Sequence, residues 1–192
     1  MKRLTVAVAL LLLAAELRAE TFAIDQSKSK ISFSVRHLLG NARGTFRRFT
    51  GTINIDREHL ELSTINVAIE VSSIDTGIRK RDEHLLGNEF FDRARYPDIK
   101  FRSRGAKRTS VDSGDITGEL AIKGVTRPFT LHARLLTHLD GKLLPDRLRW
   151  QVTCDPIRRK DFALMFGNAA EAISGIGQEV IPACEIEVVR EP

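Results

Sequence analysis

Hydrophobic and polar residues alternate along most of this chain after residue 20. A period of two is typical of β-strands that have one buried and one solvated face. The apolar members of the runs are Phe22 and Ile24; Ile31, Phe33 and Val35; Gly51, Ile53 and Ile55; Ile65, Val67, Ile69 and Val71; Ile99 and Phe101; Ile116, Gly118, Leu120 and Ile122; Phe129, Leu131, Ala133 and Leu135; Leu148, Trp150 and Val152; and Cys184, Ile186 and Val188. These runs predict eight or nine strands.

Turn-forming residues separate the runs, at residues 25–30, 56–58, 113–115, 124–128 and 140–141. Such short connections favour antiparallel neighbours, because a parallel crossover needs a dozen or more residues. A sheet with one dry and one wet face closes into a barrel or packs as a sandwich, and closure removes exposed strand edges. The pattern therefore predicts an all-β domain.

Residues 76–95 depart from this alternation and have helical spacing instead. We expect Gly87 to end a first helix in the left-handed conformation and Asn88 to cap a second short helix that carries Phe90 and Phe91. Pro97 would stop that helix. A helical insertion between strands either packs against the barrel or covers one of its ends.

Residues 1–19 are predicted to be a secretory signal peptide. Lys2 and Arg3 precede an apolar run, residues 4–15, that is too short to span a bilayer, which needs about 20 apolar residues. Cleavage after residue 19 leaves residues 20–192 as a single domain. The expected location is the periplasm or the medium outside the cell.

Charge adds information about partners. The whole chain carries a formal net charge of +5, yet an exported protein is not expected to meet nucleic acid. Three basic clusters stand out: Arg43, Arg47 and Arg48; Arg79, Lys80 and Arg81; and Arg102, Arg104, Lys107 and Arg108. They either touch anionic membrane surfaces transiently or form an ordinary solvated surface. A monomer and a homodimer are equally compatible with the sequence.

The chain has two cysteines, Cys154 and Cys184, both on the apolar parity of predicted strands. If these strands are antiparallel neighbours in an oxidising compartment, a cross-strand disulfide is geometrically allowed. Two buried free thiols are the equally weighted alternative. Neither cysteine lies in a metal-binding or nucleophile motif, so no metal and no catalytic cysteine is expected.

Seven segments together carry a family resemblance. They are ISFSVRH (31–37), GTFRRFTG (44–51), SIDT (73–76), RDEHL (81–85), EFFD (89–92), YPDIKF (96–101) and GELAIKGVTRP (118–128). Their order and spacing resemble the YceI family of exported lipid-binding proteins. The chain departs from the family pattern after RKDFA (159–163), where a longer segment, residues 164–175, follows.

The resemblance implies an extended eight-stranded antiparallel barrel, similar to a lipocalin, around a long apolar tunnel. It implies a carrier or store for a polyprenyl lipid, an isoprenoid quinone or a similar long-chain amphiphile, bound noncovalently, with no other cofactor. The inward residues that would line the tunnel are Phe33, Val35, Phe46, Phe49, Ile53, Ile55, Val67, Ile69, Phe101, Leu120, Ile122, Trp150 and Val152. Any barrel core needs such residues, so they do not by themselves indicate a ligand. We expect the small residues Gly51, Gly118 and Ala133 to provide the space for a ligand along the barrel axis.

A polar end and a lid complete the predicted site. Arg36, His37, Arg81 and His84 are the candidates for contacts with a head group, and Phe90 and Phe91 belong to the lid segment. The alternative is a buried structural network of arginine, Asp82 and histidine that ties the helix to the barrel. His37, His84 and Asp82 lack short metal-ligand spacing, and no serine nucleophile motif is present.

Two other functions remain open from the residues alone. The first is an enzyme acting on such a lipid, with His37 or His84 as general base. The second is a stress or interaction protein whose barrel is filled and holds no ligand. We expect a binding protein and not an enzyme.

Overall fold

The computed structural model of the chain describes residues 20–37, 40–139, 144–165 and 175–192. The strands are β1 (Glu20–Ile24), β2 (Lys30–His37), β3 (Gly40–Phe46), β4 (Phe49–Ile55), β5 (Thr64–Glu70), β6 (Ile74–Asp75), β7 (Asp98–Arg108), β8 (Ser113–Ile122), β9 (Val125–Leu135), β10 (Arg147–Cys154), β11 (Ile157–Arg158) and β12 (Glu179–Arg190). The α-helix is α1 (Arg79–Leu85). The predicted signal peptide and the predicted turn at 140–141 lie outside the described residues.

Eight of the strands close into a ring. The order is β1, β4, β5, β7, β8, β9, β10 and β12, and antiparallel pairing of β1 with β12 closes it. One edge of β12 pairs with β10, while the other edge pairs first with β2 and then with β1. Strands β3 and β6 extend the sheet beyond β2. The predicted all-β, eight-stranded antiparallel barrel is confirmed.

The strand register brings the apolar parity of every run to the same face. Phe22 lies opposite Ile53, and Leu148 lies opposite Val188. This face is the barrel interior because it contains the buried hydrophobic core. A shift of one residue would expose the whole apolar set, so the alternating pattern itself specifies the register.

One end of the barrel is closed by the strands themselves. Phe22, Leu148 and Val188 are each 0% exposed. The guanidinium of Arg190 lies 5.1 Å from the centre of the Phe22 ring and pairs with Glu20. We call this the strand-closed end.

The opposite end is closed by segments that do not belong to the ring. The buried side chains there are Phe90, Phe91, Phe162 and Leu164. Lys123, at the tip of the β8–β9 hairpin, donates from Nζ to the carbonyl oxygens of Glu89 at 2.9 Å and Ala163 at 3.1 Å. These contacts locate both segments at the hairpin end, which we call the loop-closed end.

The helical insertion is shorter than expected. Residues 88–91 form turns instead of a second helix, with the Phe90 amide bonded to the Gly87 carbonyl and the Phe91 amide to the Leu85 carbonyl. Gly87 does not have positive φ; Asp92 does, at 49°. The sequence interpretation was wrong here because it treated the glycine as the point where the helix must reverse, whereas tertiary packing of the two phenylalanines extends the turn.

Among the described residues, α1 is the α-helix, and no helix there has the length and apolar character needed to cross a membrane.

Candidate functional site: the barrel interior

All thirteen predicted tunnel residues lie on the inward face, but they are buried to different degrees. Those that are buried are Val35, Phe46, Phe49, Phe101, Leu120 and Ile122. Those that are half-buried are Phe33, Ile53, Ile55, Val67, Ile69, Trp150 and Val152. Two of the half-buried residues, Ile53 and Ile55, lie at the strand-closed end, opposite Phe22 and Glu20.

Half-buried inward side chains also lie between the two ends, and we call this group the barrel middle: Phe33, Val67, Ile116, Phe129, Leu131, Trp150, Val152 and Cys184. These side chains pack against the buried core and are less buried than it.

The small inward residues were expected to leave space along the barrel axis, and this expectation was wrong at two positions. A side-chain carbon added at Gly51 would meet the Ile24 side chain at 2.6 Å, and one added at Gly118 would meet the Phe101 ring at 2.8 Å. Neighbouring side chains already occupy the room that these glycines release. The alternation of the sequence identifies the inward glycines, but it does not show which neighbouring side chain occupies the space beside each one.

A row of aromatic rings connects the interior with the loop-closed end. The Phe33 and Phe46 ring centres are 5.6 Å apart, and the Phe46 and Phe91 centres are 6.2 Å apart. Phe91 in turn meets Phe90 edge to face at 5.1 Å. Gly44 permits the row, because a side chain there would overlap the Phe33 ring. The predicted lid phenylalanines are thus buried parts of the interior wall.

Arg81 and Asp82 hold α1 against the end of β6. Arg81 donates from Nε to the Thr76 hydroxyl and from Nη2 to the Thr76 carbonyl, both at 2.8 Å. Asp82 Oδ1 accepts from the Thr76 amide at 3.0 Å. Both side chains are therefore engaged in local structure, as the structural alternative expected, but their shared partner is Thr76 and among the described residues Asp82 has no ion pair with an arginine.

The histidines of the predicted polar end lie apart from one another. The His84 side chain is 56% exposed, with Nε2 3.6 Å from Glu89 Oε2. His37 ends β2 opposite Gly40, whereas β6, which leads into α1, pairs with β3 at Thr45. Five residues of strand, about 16 Å, separate Gly40 from Thr45 along β3.

Arg36 lies beside His37 at the same end of β2. Its side chain is exposed, and its carbonyl accepts from the Gly177 amide at 2.7 Å. The four predicted polar residues therefore occupy two separate places and do not form one site.

Sequence reasoning missed the cations that face the loop-closed end. Arg159 is 2% exposed and donates to the carbonyl oxygens of Leu164 at 2.9 Å and Gly177 at 3.0 Å. Its guanidinium lies 6.0 Å from the centre of the Phe90 ring. Burial lowers the pKa of Lys123, although the nearby Asp92 carboxylate acts in the opposite direction. The RKDFA segment was the available signal, but only the fold brings it beside residues 89–91.

Cys154 and Cys184 both face the interior and are free thiols. Cys184 lies opposite Val152, and Cys154 lies opposite Leu131, so the two are diagonal and not direct neighbours. Burial raises the pKa of Cys154 to about 12 and that of Cys184 to about 11. Since the thiolate is the reactive form, both are poor nucleophiles near neutral pH. Their pairing in an oxidising compartment stays a prediction.

No group of three or more His, Cys, Asp or Glu side chains suited to a metal ion occurs within the described ranges.

Comparison with known proteins identifies relatives of this chain. The YceI-like domain family matches residues 22–188. The protein YceI of Escherichia coli O157:H7 is 33% identical over 162 residues, covering 84% of this chain and 81% of the relative. The resemblance stated from the motifs is thereby confirmed.

Two solved structures share the fold. Burkholderia cenocepacia BcnA aligns with a TM-score of 0.76 and 22% identity, covering 85% of this chain and 98% of that protein. A polyisoprenoid-binding domain from Saccharophagus degradans aligns with a TM-score of 0.66 and 17% identity, covering 88% of this chain and 98% of that domain. At these identities the likeness concerns the barrel itself.

Proposed function

Because the chain belongs to the YceI-like family, we propose that it binds an isoprenoid lipid or isoprenoid quinone noncovalently inside its barrel, as a periplasmic or secreted carrier. The observation that carries the proposal is the barrel middle, a set of inward apolar side chains such as Leu131 and Val152 that are less buried than the core residues at the two ends. The S. degradans domain, described as binding polyisoprenoids, has the same architecture. No other cofactor is required.

The energetics favour a carrier that exchanges its ligand with membranes. Burial of each methylene is worth about 0.8 kcal/mol relative to water, so a long chain would be held firmly against loss to the aqueous phase. A bilayer offers the same chain an equally apolar environment, so the net gain on extraction is small. Selectivity then depends on the shape of the interior and on polar contacts to the head group. Transient contact with an anionic membrane is part of this proposal.

Binding, and not catalysis, is the role that the charged residues support. The Lys123 and Arg159 donors near the interior engage backbone carbonyls, which stabilises the fold around a guest. The raised pKa values of Cys154 and Cys184 leave two inward thiols that add polarisable apolar surface. These features suit the storage of an unreacted lipid.

Native mass spectrometry of the protein purified from its own compartment tests the proposal. We expect a second mass species that carries one long-chain molecule, and organic extraction should release an isoprenoid. A bare mass that persists after incubation with quinones and polyprenyl lipids would contradict the proposal and favour a filled barrel that acts through its surface.

A pair of matched substitutions locates the ligand. Leu131→Trp fills the barrel middle and should reduce the bound lipid several-fold. Leu136→Trp makes the same change at an exposed position just beyond β9 and should leave the yield unchanged. Equal yields from the two variants would argue against an interior site.

The predicted head-group role of the histidines needs its own test. We propose that His84→Ala or His37→Ala lowers the yield of bound lipid without preventing folding, because an imidazole can donate to or accept from a quinone carbonyl. His132→Ala, on the outer face beside Asp115, is the control. Unchanged yield and identity of the lipid in both test variants would reject the role.

A further inference from the structure

A groove of about 430 Å³ crosses the outer face of the barrel where β2, β3 and β12 lie side by side. Ser32, Ser34, Thr45 and Ala183 give it a floor of small side chains. Ser32 and Ser34 alternate with the inward Phe33, so the groove opens on the outer face of the sheet. Phe33 and Gly44 complete its lining between these residues.

The groove lining has two cations and one carboxylate, and Glu185, opposite Lys30 on β12, pairs with Arg149. Lys30 and Arg43 line it, and within the described part of the chain neither side chain makes an ion pair or a hydrogen bond. Asp75, the acidic residue of the lining, accepts from Arg47 Nε at 2.8 Å, and this contact lowers its pKa. Arg43 lies opposite Ser34, four residues along β2 from Lys30, so about 13 Å of strand separates the two cations.

Large apolar side chains protrude beside these cations. Ile181 lines the groove and is 53% exposed. Ile78, also 53% exposed, directly follows Gly77 at the groove wall. Exposed aliphatic side chains among unpaired cations are the combination that binds the interface of an anionic bilayer. An acidic peptide would use the cations but would give the two separated isoleucines no common apolar phase.

We propose that this surface, defined by Lys30, Arg43, Ile78 and Ile181 and called the docking face, binds the anionic phospholipid surface of a membrane. The inference rests on the proposed function, since it identifies where the carrier meets the bilayer with which it exchanges its ligand. The cations approach the lipid phosphates, and the isoleucines enter the interface between head groups and acyl chains.

Sedimentation with vesicles tests the docking face. The full mature protein is mixed at low ionic strength with phosphatidylcholine vesicles that contain phosphatidylglycerol, or with phosphatidylcholine vesicles alone. Each cation near a charged bilayer contributes about fivefold to partitioning. The double reversal Lys30→Glu with Arg43→Glu should therefore weaken binding to the anionic vesicles by at least about 25-fold.

Matched variants separate the docking face from net charge. Lys107→Glu with Arg108→Glu makes the same charge change at the end of β7 and should weaken binding far less. Ile181→Asp should weaken binding more than Val111→Asp, where the valine is 95% exposed. Equal effects within either pair would overturn the proposal, as would binding to a soluble polyglutamate peptide but not to anionic vesicles.

The ligand content of the same preparations is read by native mass spectrometry. A double-reversal variant that still contains lipid but no longer sediments supports the docking face and the carrier proposal together. Wild-type protein that sediments through the docking face but never contains lipid supports the docking face and overturns the carrier. Wild-type protein that contains lipid but does not sediment with anionic vesicles would overturn only the docking-face proposal.

Discussion

The two ends of the barrel are closed in different ways. At the strand-closed end, Phe22, Leu148 and Val188 belong to strands of the ring, so the same hydrogen-bond ladders that define the barrel hold them. At the loop-closed end, Phe90 comes from a turn and Phe162 from a short 3-10 helix (Arg159–Phe162). Lys123 links both segments to the hairpin tip through hydrogen bonds to backbone carbonyls, and Arg159 bonds to the Leu164 carbonyl.

The two ends therefore differ in the free energy that is needed to open them. Opening the strand-closed end requires breaking ladder hydrogen bonds and is equivalent to unfolding the barrel. Opening the loop-closed end requires the loss of a few side-chain contacts, so it can occur locally at much lower free energy. If the interior exchanges a lipid, the loop-closed end is where the wall can move.

The largest expected effect on the free energy of unfolding comes from truncating a leucine at the strand-closed end, compared with one in the barrel middle. Leu148→Ala leaves a cavity at the strand-closed end and should cost about 4 kcal/mol, whereas Leu131→Ala in the barrel middle should cost about 2 kcal/mol or less. The free energy of unfolding measured with urea checks both. Equal costs would show that the middle is packed as tightly as the end.

The buried guanidinium provides the next test. Arg159→Met removes the donors that satisfy the carbonyls of Leu164 and Gly177, and it should lower the free energy of unfolding by about 3 kcal/mol. Its neighbour is the control: Arg158 is exposed, with Nε 3.8 Å from Glu179, so Arg158→Met should cost less than about 0.5 kcal/mol. Similar costs would mean that Arg159 contributes little to the loop-closed end.

A local effect is expected from the hairpin tip. Lys123→Met removes the hydrogen bonds to the Glu89 and Ala163 carbonyls and should favour local opening by about 1 kcal/mol. Hydrogen exchange should then accelerate about fivefold at the amides of Phe90 and Phe91, with β12 unchanged. Uniform acceleration over the whole chain would contradict the idea that this end opens independently.

The smallest effect concerns acid. Hydrogen bonds from Arg48, and then from Ser72, lower the pKa of Glu70 from 4.5 to about 2 in the folded chain. The ionised carboxylate therefore stabilises the fold above about pH 4.5, and this contribution is lost as the pH falls towards 2. Glu70→Gln should be less stable than the wild type at neutral pH and equally stable near pH 2.

Thermal unfolding across the acid range measures this difference. Glu179→Gln, on the exposed start of β12, controls for the loss of one negative charge. A constant gap between Glu70→Gln and the wild type at every pH would exclude titration of this carboxylate as the cause.

Much of the fold could be predicted from local pattern, and the misses have definable causes. Strand β3 was not predicted because its sequence, GNARGTF, has little apolar alternation. This segment is a strand because it pairs with β2. The cations of the loop-closed end were missed because Lys123, Ala163 and Glu89 are far apart in sequence. The separation of His37 from His84 could not be predicted either, because the order of motifs along the chain does not give the distance between them in the fold.

The sequence by itself determined the all-β class, the inward face of each strand and the membership of the YceI-like family, because these depend on a period of two and on local motifs that each strand carries independently. Only the tertiary structure decided which inward side chains are fully buried, which end is held by loops, and that Lys30, Arg43 and Ile181 share one outer groove. Those properties depend on ring closure, register and the lean of neighbouring side chains, which are relations between residues distant in the chain.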